Sequence, residues 1–278
     1  MKQIKVAIVG YGFVGKAVSY ALTSSHIKQF HHDPKLGTNI KDLISFDPQF
    51  VFICVPTPMS DNGTIDSSIV ETVFEQLRPL KKIYASTTIV LKSTVTPDII
   101  DKLESKAKFV YNPEFLTERS ACADFVSAPF HVFGGEESAK VAELFKNYSS
   151  CDTAEFFFVS NKEASMIKYG INSFLATKVT FFNQLFGACE KEGLNSNMVL
   201  KVIGADPRIG SSHTKVPGFD GKLGYGGSCF PKDTNAICNY NSDLTLVRES
   251  VKINNYYRSE YELDDREREM NVKFKNEN

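Results

Sequence analysis

The chain has 278 residues, enough for about two domains of ordinary size. It carries 32 Lys and Arg against 33 Asp and Glu, a net charge of −1, with 42% apolar and 23% charged residues. That balance excludes a basic nucleic-acid-binding domain and a polybasic membrane-surface protein, and no apolar run approaches the ~20 residues of a membrane span. The six cysteines have no C-x-x-C spacing, and the five histidines form no H-E-x-x-H, so neither a zinc site nor any other metal is expected. The opening MKQIKVAIVGYG reads as a strand entering a glycine turn rather than a signal peptide, which gives the expectation of a cytoplasmic protein.

In chain order, strands are expected at Ile4–Val9, Gln29–His32, Phe50–Val55, Ile83–Leu91, Phe109–Tyr111, His131–Phe133 and Phe156–Val159. Helical periodicity falls at Val14–Thr23, Ser67–Leu77, Pro97–Ser105 and Glu136–Tyr148. Alternation of this kind predicts an α/β fold, a Rossmann-like doubly wound parallel sheet, over residues 1–160. The pattern then changes. A proline-free helix is expected from Asn161 to about Glu192, opened by a capping box in which Ser160 precedes Glu163 by three residues. It begins an all-α central or dimerisation domain over 161–278. A glycine- and proline-rich loop from Gly204 to Pro231, a helix from Thr245 past Tyr257 and a charged tail from Asp264 follow. The tail reads as a solvated or frayed end.

Gly10-Tyr-Gly12-Phe13-Val14-Gly15 follows the first strand and opens the first helix. Gly10 permits the tight turn, Gly12 lets backbone approach a pyrophosphate, and Gly15 lets helix and strand pack closely. The phosphates would sit on the helix N-terminus. Asp33 ends the second strand 18 residues later, where a carboxylate accepts ribose hydroxyls and repels a 2′-phosphate, so the cofactor expected is NAD rather than NADP. The plainer alternative is a glycine turn with a surface Asp.

Five motifs then occur in order: Ser93-Thr94-Val95, Asn112-Pro113-Glu114-Phe115-Leu116-Thr117-Glu118, Lys168-x-x-x-Asn172, Arg208-Ile209-Gly210 and Gly226-Gly227-Ser228-Cys229-Phe230-Pro231-Lys232-Asp233. Together they resemble the UDP-glucose 6-dehydrogenase family of nucleotide-sugar dehydrogenases. The resemblance implies a four-electron oxidation of UDP-glucose to UDP-glucuronate with two NAD. Cys229 would carry the thiohemiacetal and thioester. Lys168 and Asn172, four apart and so on one helix face, would stabilise the oxyanion, with Asp233 assisting through water. Glu114 would serve as base for thioester hydrolysis, sharing a helical face with Glu118 if Pro113 starts a turn. Thr94 would lie near the cofactor and the catalytic water.

The resemblance also places Val55, Thr57, Pro58, Ser93, Thr94, Glu118 and Lys232 at the cofactor. Glu114, Phe115, Leu116, Lys168, Asn172, Gly221, Gly224, Tyr225 and Gly226 would contact the nucleotide sugar, and Arg208 would reach it from the partner of a homodimer. Two departures stand out: the spacer between Arg208 and Cys229 is longer than usual, and Arg119 replaces an expected glycine. Family members normally continue into a third, nucleotide-covering domain, so a short form is expected. The alternatives are another nucleotide-sugar dehydrogenase and a non-catalytic NAD-binding dimerisation module.

Overall fold

The computed structural model describes residues 3–78, 87–151 and 154–274. The chain divides into two compact units, Met1–Thr57 with Asp66–Lys168, and Pro58–Ile65 with Tyr169–Asn278.

The first unit is built on a seven-stranded sheet in the order β2-β1-β3-β4-β5-β6-β7. Its strands are β1 (Ile4–Val9), β2 (Ile27–His32), β3 (Phe50–Ile53), β4 (Thr88–Leu91), β5 (Val110–Tyr111), β6 (Phe130–Gly134) and β7 (Glu155–Val159). Pairing is parallel from β2 through β5, with Val9 opposite both His32 and Ile53. β5 and β6 then pair antiparallel, and β6 and β7 are parallel to each other. The doubly wound sheet expected from the alternation is therefore present, with its last two strands reversed. Of the strand expected over 83–91, residues 88–91 form β4 and residues 83–86 lie outside the described residues.

Helices α1 (Phe13–Ala21), α2 (Leu43–Phe46), α3 (Ser68–Leu77), α4 (Pro97–Glu104), α5 (Ala121–Val126) and α6 (Ser138–Tyr148) belong to this unit. The apolar face of α1 joins Val6, Ile8, Phe52, Val90 and Phe145 in one core. Burial of such side chains stabilises by about 1.5–3 kcal/mol each. Strand order reverses between β1 and β3, so the carboxyl ends of these two strands flank the crevice where a doubly wound sheet binds its ligand.

Helix α7 (Asn161–Lys191) begins with the expected capping box: the Ser160 amide donates to Glu163 Oε2 at 2.7 Å and the Glu163 amide to Ser160 Oγ at 3.2 Å. The second unit continues with α8 (Ser196–Ala205), α9 (Phe230–Tyr240), α10 (Thr245–Arg258) and α11 (Asp265–Glu269). The sequence reading had no helix at α8 or α9. It also took the tail for a solvated end, and the structure corrects this. Asp264 and Glu267 form a second capping box, Glu267 and Val272 are fully buried, and the Met59 amide donates to the Met270 carbonyl at 2.9 Å.

One buried charge ties two strand ends of the first unit together. Lys92, just beyond β4, donates to the Asn112 carbonyl at 2.9 Å and to Asn112 Oδ1 at 2.8 Å, and Asn112 Nδ2 donates to the Val132 carbonyl. Burial pushes the Lys92 ammonium down to about 8. Between that value and the ordinary lysine value the unfolded chain holds the proton more tightly, so this group makes stability rise with pH. The stability of the wild type relative to Lys92→Met should therefore increase by about 1–3 kcal/mol between roughly pH 8 and 10. Urea denaturation across that range measures it, and parallel pH curves would show that Lys92 bears no such shift.

Candidate active site

In the first unit the glycine turn has the geometry a dinucleotide requires. Gly10 has φ +91°, and a Cβ there would lie 2.6 Å from the Cys54 carbonyl oxygen; a Cβ on Gly15 would lie 2.0 Å from the Gly10 carbonyl oxygen. A side chain at either position would prevent the β1–α1 turn from closing. Gly12 faces open space and is the N-cap of α1, where no side chain caps the free amides that open the helix, Phe13 and Val14 among its first residues. Asp33 is held from two sides: Oδ2 accepts from the Tyr11 amide at 2.8 Å and Oδ1 from the Lys35 amide at 2.9 Å. Each carboxylate oxygen retains a lone pair for a hydroxyl. An uncapped helix end, an open glycine and a fixed carboxylate fit NAD.

Val55, Thr57 and Pro58 follow β3, and Ser93 Oγ donates to the Val55 carbonyl at 2.7 Å, linking this loop to the end of β4. Thr94 is buried beside it. Glu114 Oε2 accepts from the Leu116 amide at 2.6 Å, and Lys168 Nζ donates to the Glu114 carbonyl at 2.5 Å and to Oε1 at 3.1 Å. The Lys168 ammonium also lies 5.4 Å from the Phe115 ring centroid. The expected helical face shared by Glu114 and Glu118 is absent. Asn112 prolongs β5, its amide donating to the Leu91 carbonyl, and Lys168 occupies the Glu114 carbonyl that a helix would need. Helical structure starts only with a 3-10 turn at Glu118–Ser120, where Glu118 is exposed.

In the second unit Cys229 is the N-cap residue of α9, half-buried, and no side chain caps the helix. Pro231 sits at the start of the helix, where its missing amide donor is harmless, and Lys232 and Asp233 occupy the first turn. Proline in the first turn followed by an acid is an N-terminal signal in the sequence, and it is the signal by which this unexpected helix could have been found. Asp233 is fully buried; Oδ1 accepts from Lys232 Nζ at 2.5 Å and Oδ2 from Asn172 Nδ2 at 2.6 Å. Lys168 and Asn172 thus stand one turn apart on α7 but bind different carboxylates.

The thiols differ in kind. Burial pushes Cys54 up to about 12 and raises Cys238, whereas Cys229 is half-buried at a helix N-terminus.

The loop before Cys229 is fixed by side chains that sequence reasoning missed. The Gly224 amide donates to Asn183 Oδ1 at 2.9 Å, and Asn254 both accepts from the Tyr225 amide and donates to its carbonyl, at 2.6 and 3.0 Å. The Gly227 amide donates to Glu267 Oε1 at 3.0 Å. Gly221, with φ +76°, closes a turn onto the Gly218 carbonyl. Arg208 is exposed and paired with Asp206, its Nη2 2.6 Å from Oδ2. Among the described residues no cluster of His, Cys, Asp and Glu could hold a metal, and no helix is long and apolar enough to cross a membrane.

Residues 35–152 match the NAD binding domain of the UDP-glucose/GDP-mannose dehydrogenase family, and residues 162–256 match its central domain. UDP-glucose 6-dehydrogenase YwqF of Bacillus subtilis is 35% identical over 74% of this chain and 48% of its own length. The UDP-glucose 6-dehydrogenase of Rickettsia conorii is 34% identical over 84% of this chain and 55% of its own. The chain spans about half the length of these relatives. Among solved structures, a UDP-glucose dehydrogenase from Pyrobaculum islandicum superposes with a TM-score of 0.76 at 25% identity, over 91% of this chain and 68% of that one. A UDP-D-ManNAc dehydrogenase from Pyrococcus horikoshii shares the fold, with a TM-score of 0.73 at 19% identity over 92% of this chain and 69% of that one. With two matched domains in order and relatives above 30% identity, the chain belongs to the UDP-glucose/GDP-mannose dehydrogenase family, and its cofactor is NAD.

Proposed function

We propose that this chain oxidises the primary alcohol of a nucleotide sugar, UDP-glucose, to the carboxylate of UDP-glucuronate. The observation that carries the reading is Cys229 at the uncapped N-terminus of α9, with the Lys232–Asp233–Asn172 network in the same unit. Bound NAD would accept one hydride at each of the two oxidations, while Gly10, Gly12, Gly15 and Asp33 hold its pyrophosphate and ribose. The Cys229 thiolate adds to the aldehyde carbon, and the resulting thiohemiacetal becomes a thioester once its carbon–hydrogen bond is lost as hydride. Water then attacks the thioester carbon, releasing the carboxylate and restoring the thiol. Glu114 takes the proton of that water in this scheme, with Thr94 near it. Lys168 and Asn172 donate to the oxygen that becomes negative in each tetrahedral intermediate.

Residues 1–160 serve as the cofactor domain in this proposal and 161–278 as the central domain. UDP-glucose is preferred to other sugars because the relatives above 30% identity carry that name. A non-catalytic module is the weaker reading, since Lys168, Asn172, Cys229 and Asp233 are all retained. We also propose a homodimer through the second unit. Phe174 and Phe181 are 68% and 55% exposed and lie seven residues apart on α7, and Met198 and Val202 expose a second apolar strip on α8.

Three measurements test this reading. By calorimetry NAD should bind at least about tenfold more tightly than NADP, and Asp33→Ala should weaken NAD by about tenfold, the scale of one lost charge-assisted hydrogen bond. Equal binding of the two cofactors would reject the assignment of Asp33. With a panel of nucleotide sugars, the wild type should release two NADH per acid formed from UDP-glucose. Cys229→Ser should impair the second half of the reaction, hydrolysis included, more than the first, leaving an ester adduct visible by mass spectrometry, because an oxygen ester hydrolyses less readily than a thioester. Full acid formation by Cys229→Ala would make Cys229 a packing thiol. Light scattering at micromolar concentration should give a dimer, and a fully active monomer would remove the proposed role of Arg208 across subunits.

A further inference from the structure

The charged tail is built into the turn that carries Cys229. Glu267, with none of its surface exposed, uses both carboxylate oxygens. Oε1 accepts from Arg258 Nη2 at 2.7 Å and from the Gly227 amide at 3.0 Å, and Oε2 accepts from the Asp264 amide at 2.8 Å. Arg258 is equally buried; its Nη1 donates to Asp220 Oδ2 at 2.7 Å, and the rings of Tyr261 and Phe274 lie 5.9 and 5.4 Å from its guanidinium carbon. The turn presses directly on this pair. A Cβ on Gly226 would lie 2.2 Å from Arg258 Nη2 and 2.3 Å from Glu267 Oε1, so only glycine lets the backbone approach so closely. Gly227 has φ +79°, which leaves its amide aimed at the carboxylate and sends the chain on through Ser228 to Cys229.

The tail is itself anchored on both sides of Glu267. Before it stands the capping box with Asp264. After it the Val272 amide returns to the Glu267 carbonyl at 2.8 Å, and Asn271 Nδ2 donates to the Met59 carbonyl at 2.8 Å. A carboxylate fixed this firmly holds the Gly227 amide, two residues before Cys229.

We infer that Glu267, with Arg258 as its counter-ion, is a positioning residue for Cys229, holding the Gly226–Cys229 turn through the Gly227 amide. The inference rests on the proposed nucleophilic role of Cys229 for its importance to the reaction, but not for its test. Glu267→Asp keeps the charge and shortens the side chain by one methylene, so the carboxylate no longer reaches both Arg258 and Gly227. The first readout is amide exchange at Gly227, the donor in question. The second is alkylation of Cys229 by iodoacetamide, followed by peptide mass spectrometry with the half-buried Cys122 of the first unit as internal reference.

Glu267→Asp should speed Gly227 exchange at least tenfold and Cys229 alkylation at least threefold relative to Cys122. Val272→Ala, which removes buried volume from the same tail without touching the turn, should lower thermal stability and leave both readouts at wild-type values. Wild-type exchange and alkylation in Glu267→Asp would overturn the inference, and so would the same accelerations in Val272→Ala. Should Glu267→Asp fail to fold, the isosteric Glu267→Gln is judged by the same two criteria. A protein without turnover would still give these results, so failure of the proposed reaction and failure of this inference are told apart.

Discussion

A loop that approaches a ligand closely must bury its main chain, and each buried amide or carbonyl left without a partner costs about 1–3 kcal/mol. The loops of this protein meet that constraint with side chains rather than with added secondary structure. Asn161 accepts from the Tyr111 amide and donates to the Phe109 carbonyl, Lys92 occupies the Asn112 carbonyl, and Lys168 occupies that of Glu114. In the second unit Asn183, Asn254 and Glu267 satisfy Gly224, Tyr225 and Gly227 in turn. The amide side chain of asparagine suits this work, because it can donate and accept at once, as Asn254 does across a single residue.

The same constraint explains what the sequence disclosed and what it hid. β1, the glycine turn and the capping box at Ser160 were legible because each depends on residues close together in the chain. Apolar runs fix a buried strand, a glycine fixes a positive φ, and a serine three residues before a glutamate fixes a helix start. The Glu114–Glu118 expectation failed for the opposite reason. Its outcome turned on Lys168, 54 residues away, taking the carbonyl that a helix would have used. The tail failed likewise: a run dense in Asp, Glu and Arg reads as solvated unless one knows that Glu267 meets a buried guanidinium. A buried ion pair leaves no period in the sequence.

Buried charge is therefore used in two ways. Lys92 is an ammonium hydrogen-bonded to neutral oxygens, and burial above all drives its proton affinity down. Arg258 is a guanidinium between two carboxylates, and its planar fork serves both, one through each terminal nitrogen. Breaking such a pair by removing one partner leaves an uncompensated charge, typically at about 3–5 kcal/mol. That asymmetry makes the Asp220–Arg258–Glu267 triad a more exacting clamp on the turn than an apolar contact of equal area.

Helices α1 and α9 both begin without a side-chain cap, and their first turns differ. α1 has no acid in its first turn, so its amides and dipole remain available to a pyrophosphate. α9 does have one, Asp233. Lys232 and Asn172 bind one of its carboxylate oxygens each, at 2.5 and 2.6 Å, so that the buried charge is paired. The acid is thus held within the first turn by its two partners.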